Sequence, residues 1–148
     1  MNATRSKTSQ RGFSLIELLI VVALLGIISA IAIPYLVAAQ QAARAASAVS
    51  SLRIIHSSEA SYRVVRGVYG DLAALRSSGS IADPSVAAGQ KNLYQFTITV
   101  GADPTRNYTA IATPLYKPTV YHHYFVDDSG VLRSSIGSPA TVASPALN

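Results

Sequence analysis

Cysteine and tryptophan are both absent from this 148-residue chain, and charged residues make up only 13% of it. Without cysteine there is no disulfide framework, no thiolate zinc site and no cysteine nucleophile. Acids are the scarcer charge, 7 Asp+Glu against 12 Lys+Arg, for a net charge of +5. No HExxH, P-loop, Rossmann glycine series or G-x-S-x-G elbow occurs. The chain therefore reads as a substrate of enzymes rather than an enzyme, with no cofactor. Scarce charge beside 49% hydrophobic residues is also the reverse of the composition that keeps a chain disordered.

The apolar residues are distributed unevenly. Between Phe13 and Ala39 the one charged side chain is Glu17. At about 1.5 Å per residue, the stretch 18–39 spans about 33 Å as a helix, enough to cross a hydrocarbon layer of about 30 Å. Arg5, Lys7 and Arg11 precede this block and residues 1–12 contain no acid, which predicts a cytoplasmic N-terminus with the remainder across the membrane. Without those three cations, nine face seven acids, a balance of +2. The basic character thus belongs partly to the leader, and a nucleic-acid partner is not expected. An ordinary secretory signal places small residues and a cleavage site after the apolar run, but Ile33-Pro34-Tyr35-Leu36 has no such form.

The unusual chemistry lies at the front edge, Arg11-Gly12-Phe13-Ser14-Leu15-Ile16-Glu17-Leu18. These residues closely resemble the class III signal of type IV pilins and type II secretion pseudopilins, with Gly12, Phe13, Ser14, Leu15 and Glu17 matching position by position. The close resemblance covers residues 11–36. It implies a leader of residues 1–12 cut after Gly12 by an aspartyl prepilin peptidase, and N-methylation of the new N-terminal Phe13. It also places Gly26 and Pro34 where the family commonly weakens its first helix. Physically, Pro34 removes an amide donor and obstructs the carbonyl of Ala30, so a kink or local melting is expected between Gly26 and Pro34.

Glu17 is the residue at which physical reasoning and resemblance meet. A carboxylate one turn inside an apolar helix is costly and needs a partner. Cleavage after Gly12 creates a cation at the α-amine of Phe13, and the Glu17 of a neighbouring subunit can pair with it. In the family this pairing is thought to set the axial stagger of assembly.

The remaining chain reads as an α+β domain built on the same helix. Residues 13–39 form the apolar transmembrane or filament-core half, and residues 40–67 an amphipathic half. Val49, Leu52, Ile55, Tyr62 and Val65 make one stripe for a sheet to cover. Gly67 and Gly70 end the helix near Arg66. Residues 68–90 read as a connection with short helical turns capped by Asp71 and Asp83. Residues 91–135 read as a three- or four-stranded antiparallel sheet: Tyr94 to Val100, Tyr108 to Thr113, Tyr121 to Val126 and Val131 to Ser134, the last two joined by a turn at Asp127-Asp128-Ser129-Gly130. Residues 136–148, rich in Ser, Pro, Ala and Gly, read as a flexible or surface-draped tail.

Few other residues suggest chemistry. His56, His122 and His123 form no zinc spacing, and adjacent strand histidines face opposite ways. Asp103, Asp127 and Asp128 are weak candidates for a calcium site of the kind that secretion pseudopilins carry, and a solvated turn is the favoured reading. Asn107-Tyr108-Thr109, Ser138 and Ser144 are weak glycan-acceptor matches. The expected function is that of a structural, major-pilin-like subunit of a type IV pilus: inner-membrane precursor, substrate of the prepilin peptidase, client of an inner-membrane assembly machinery, and homo-oligomer in an extracellular helical filament. The alternatives are a type II secretion pseudopilin and a membrane-anchored periplasmic binding domain.

Overall fold

The computed structural model describes residues 12–147; the basic positions Arg5, Lys7 and Arg11, and with them all of the expected leader but Gly12, lie outside the described residues. The chain divides into two compact units, Met1–Gln40 and Gln41–Asn148.

In the first unit helix α1, which spans Leu15–Arg66, begins after Ser14, whose carbonyl accepts the Leu18 N–H at 3.2 Å. The helix runs on through both Gly26 and Pro34, although Pro34 has no N–H to donate to the Ala30 carbonyl. This portion contains an 18-residue window of mean hydropathy 2.8 with none of its residues buried. Apolar side chains point outward in every direction, as Leu19, Ile20, Leu24 and Ile27 show. A helix apolar all round is built for surroundings other than water.

In the second unit α1 is one-sided. Ala48, Ser51, Leu52, Ile55, Ser58 and Glu59 are buried, with steps of three and four that keep them on one face. Helix α1 stops at Gly67, whose φ of +77° suits glycine and whose N–H donates to the Arg63 carbonyl at 2.8 Å. Val65, expected within the buried stripe, is 79% exposed. What covers this end of α1 is the turn at Gly70, and it meets Tyr62 instead. Helix α2, Leu72–Ser77, is capped by Asp71, which accepts the Ala74 N–H at 2.7 Å, and α3, Pro84–Ala87, by Asp83.

Five strands follow: β1 Gln90–Lys91, β2 Tyr94–Val100, β3 Tyr108–Pro114, β4 His122–Asp127 and β5 Arg133–Ile136. They form one antiparallel sheet in chain order. The expectation of three or four strands misses β1, which at two residues is too short to display alternation. The last strand begins two residues later than expected, because Val131 and Leu132 complete the connection and Leu132 enters the core. In β2, Tyr94, Phe96 and Ile98 face inward while Gln95, Thr97 and Thr99 face out, which is the alternation of a half-covered sheet. Those inward residues share one core with Ala48, Leu52 and Ile55 of α1, Ala110 and Ala112 of β3, and Tyr124 and Val126 of β4. Burying each leucine- or isoleucine-sized side chain contributes roughly 1.5–3 kcal/mol.

Residues 137–147 return along β5. Ser134 N–H donates to the Pro145 carbonyl at 3.0 Å, Leu147 N–H to the Leu132 carbonyl at 2.8 Å, and the Arg133 guanidinium to the Ser144 carbonyl at 2.9 Å. Ala140 is buried beneath this segment of chain.

Candidate functional site

The N-terminal end of α1 presents Phe13, 78% exposed, one residue before the helix cap. Glu17 Oε2 accepts the Ser14 backbone N–H at 2.9 Å. Ser14-x-x-Glu17 is thus half of a reciprocal capping arrangement, which satisfies an amide that the helix start would otherwise leave free. That local use of Glu17 is legible in the S-x-x-E spacing. At Gly12 and Gly26 a Cβ would meet nothing within 4 Å outside the helix's own backbone, so tertiary packing does not demand glycine at either position.

A second feature lies in the sheet domain. Thr99, Thr109 and Asp127 are cross-strand neighbours on β2, β3 and β4, and with Asp128, Asn107 and Thr141 they line an open cleft of about 540 Å³. Asp127 accepts the Ser129 N–H at 3.0 Å and is also hydrogen-bonded to the Ser129 hydroxyl, so its carboxylate shapes the turn. Asp103 is not in the cleft lining. It caps its own turn through Thr105, which holds its carboxyl below the usual range, and makes an exposed ion pair with Arg106 at 3.3 Å. Among the described residues no group of three or more His, Cys, Asp or Glu side chains is placed to hold a metal. Ser138 and Asn107 are exposed, whereas Ser144 is half-buried with its hydroxyl accepting the Thr141 N–H at 3.0 Å.

The third feature is a partly buried polar cluster that hydrophobic periodicity does not reveal. His56 Nδ1 lies 2.7 Å from the Tyr108 hydroxyl, and the Tyr108 ring packs 4.7 Å from that of Tyr69. Arg63 donates to the Tyr69 hydroxyl at 3.0 Å with its guanidinium 5.0 Å over the ring. Glu59 is fully buried, and burial, opposed by the Gly70 N–H and reinforced by Asp71, pushes its carboxyl up to about 7. The Tyr108 phenol is raised as well, chiefly by burial and then by Glu59. His122 is exposed and His123 buried, so the two separate across the strand as expected.

Gly130 presses on this cluster. Its φ is +75°, and a Cβ there would sit 2.9 Å from His56 Nε2. Gly130→Ala should cost about 1–2 kcal/mol from backbone conformation alone, plus the displacement of His56. Gly79→Ala, at φ +70° with open space, carries only the backbone part. Thermal unfolding of the two variants side by side measures the His56 contact as the difference.

A fully apolar helical segment continuous with the spine of a small α+β domain, entered through a glycine-phenylalanine junction and a lone glutamate, defines a pilin-like protein. The comparisons agree: residues 7–33 match the prokaryotic N-terminal methylation motif. Over 73 residues the chain is 37% identical to the type IV major pilin protein PilA of Myxococcus xanthus (strain DK1622), a match covering 49% of this chain and 33% of that protein. The aligned part thus spans about a third of the relative's length. Residues 7–33 thus carry the N-terminal methylation motif, and about half of this chain resembles part of a type IV major pilin.

Proposed function

We propose that this chain is a major-pilin-like subunit of a type IV pilus, released from its leader between Gly12 and Phe13, N-methylated at Phe13, and assembled through its apolar helix into an extracellular filament. The observation that carries the reading is the stretch from Leu15 to Val37, apolar on every face and wholly unburied within the chain. In the inner membrane lipid covers it before assembly; in a filament, neighbouring copies do. Lipid tails are as apolar as leucine, so exchanging one for the other is driven by packing and polar pairing rather than by removal from water. Glu17 supplies the pairing. In the single chain its carboxylate holds the Ser14 amide; in the assembly it also takes the Phe13 ammonium of a neighbour, which fixes the axial step. A head-to-tail contact of this kind does not close on itself and repeats into a fibre. Gly26 and Pro34 lie inside this segment, where a helix loosened at those points adapts to packing.

Electron microscopy of material sheared from the cell surface, with peptide mapping of the subunit, tests the proposal. Long fibres composed of this chain support it. A chain found only in the cell envelope, in cells that lose protein secretion when it is deleted, supports the pseudopilin alternative instead.

A further inference from the structure

Glu59 is one of two glutamates in the chain, and it is fully buried. Its Oε2 accepts the Gly70 N–H at 3.0 Å, and its Oε1 has no hydrogen-bond partner among the described residues. A buried acceptor without a partner calls for an explanation, because desolvating it costs about 1–3 kcal/mol, and more when it is charged. Among the described residues no cation forms an ion pair with it. On α1 itself, Arg63 is turned to Tyr69 and His56 to Tyr108. From the connection after α1 comes Asp71, which adds negative charge, and from β3 comes the neutral phenol of Tyr108, beyond which lie Asp127 and Asp128. Asp71, the charge that acts on this carboxyl, therefore disfavours its ionised form.

The hydrogen bond to Gly70 has mechanical consequences. Gly70 is wedged so that a Cβ would lie 3.0 Å from the Tyr62 ring. Beside it, the Tyr69 N–H donates to the Pro104 carbonyl at 2.8 Å, which ties the connection to the β2–β3 loop. Residues 67–71 are thus fastened to α1 by Glu59 and to residues 101–107 by Tyr69. An ionised Glu59 reaches water only if the connection lifts.

We propose that Glu59 is a proton-operated latch: its neutral side chain keeps residues 67–71 seated on α1, and ionisation releases them and, through Tyr69, the β2–β3 loop. The direction follows from proton linkage. A carboxyl whose closed-state value is raised contributes closure that is complete below its ordinary value of 4.5 and is lost as pH rises through about 7. Between pH 6 and pH 8 the open fraction should rise about tenfold. This latch does not depend on filament assembly.

Hydrogen exchange of the full mature chain in detergent micelles, followed by mass spectrometry and corrected for intrinsic exchange rates, reads this change. Protection of residues 67–71 and 101–107 should fall about tenfold between pH 6 and pH 8, and in Glu59→Gln it should be independent of pH. Equal protection of the wild type at both pH values, or a fall retained in Glu59→Gln, overturns the latch. Carbon-13 glutamate labelling in a Glu17→Gln background leaves a single labelled carboxyl and covers the case in which Glu59→Gln does not fold. A titration midpoint near 7 supports the proposal, and one in the ordinary carboxylate range overturns it.

Discussion

Glu17→Ala is expected to leave processing intact and to abolish filaments. Glu17 is the fifth residue after the Gly12–Phe13 junction, and its substitution leaves residues 1–12 unchanged. On the proposed pairing, what it removes is the carboxylate that neutralises a neighbour's Phe13 ammonium inside an apolar helix bundle. Breaking a buried ion pair from one side costs roughly 3–5 kcal/mol, because the remaining charge stays buried and unpaired. At 1.4 kcal/mol per decade, each subunit addition weakens about a hundred- to a thousand-fold or more. The expected outcome is mature, methylated subunit accumulating in the membrane fraction with no sheared fibres. The Ser14 amide also loses its acceptor, but a lost capping bond costs only about 0.5–2 kcal/mol and leaves the rest of α1 in place. Normal filament yield from Glu17→Ala would remove the pairing from the mechanism.

Leu52→Ala should be the most damaging conservative change in the sheet domain. Leu52 and Ile55 are both 0% exposed at the centre of the face that α1 gives to the sheet, among Phe96, Ile98 and Ala110. Truncating a leucine in such a place costs about 2–5 kcal/mol, the transfer free energy of the lost atoms plus the cavity they leave. Domains of this size have a total stability of roughly 5–15 kcal/mol, so the variant approaches unfolding. The expected fall in midpoint is about 10 °C, followed by near-ultraviolet circular dichroism of the tyrosines in detergent micelles. Val64→Ala is the control: at 86% exposure it should stay within about 0.5 kcal/mol of wild type.

Leu52 and Ile55 were legible in the sequence because apolar spacing reports a buried helix face. Strand β2 was legible for the same reason, since Tyr94, Phe96 and Ile98 alternate with threonine and glutamine. Ser51, Ser58 and Glu59 lie on the same helix face but stayed hidden, because periodicity counts apolar residues and these side chains are buried through their hydrogen bonds. Ser51 bonds back to the Ser47 carbonyl, Ser58 reaches the Ser80 carbonyl, and Glu59 holds Gly70. The contact between His56 and Tyr108 joins residues 52 apart, and no local pattern encodes it. Asp127 and Asp128 share a cleft because they are sequence neighbours at a strand end, whereas Asp103 forms its own turn and ion pair. The N-terminal features were the easiest to read. A long apolar run, a basic leader and one glutamate are properties of composition and spacing, and they need no tertiary contact to be recognised.

The central claim is that this chain loses residues 1–12 and polymerises through the helix that then begins at Phe13. Intact-mass and N-terminal fragment analysis of subunits from purified surface fibres tests it most directly. The expected result is one species that begins at Phe13, carries a single added methyl on its α-amine and lacks the leader mass. Fibres whose subunit retains Met1, or begins at a residue other than Phe13, would contradict it.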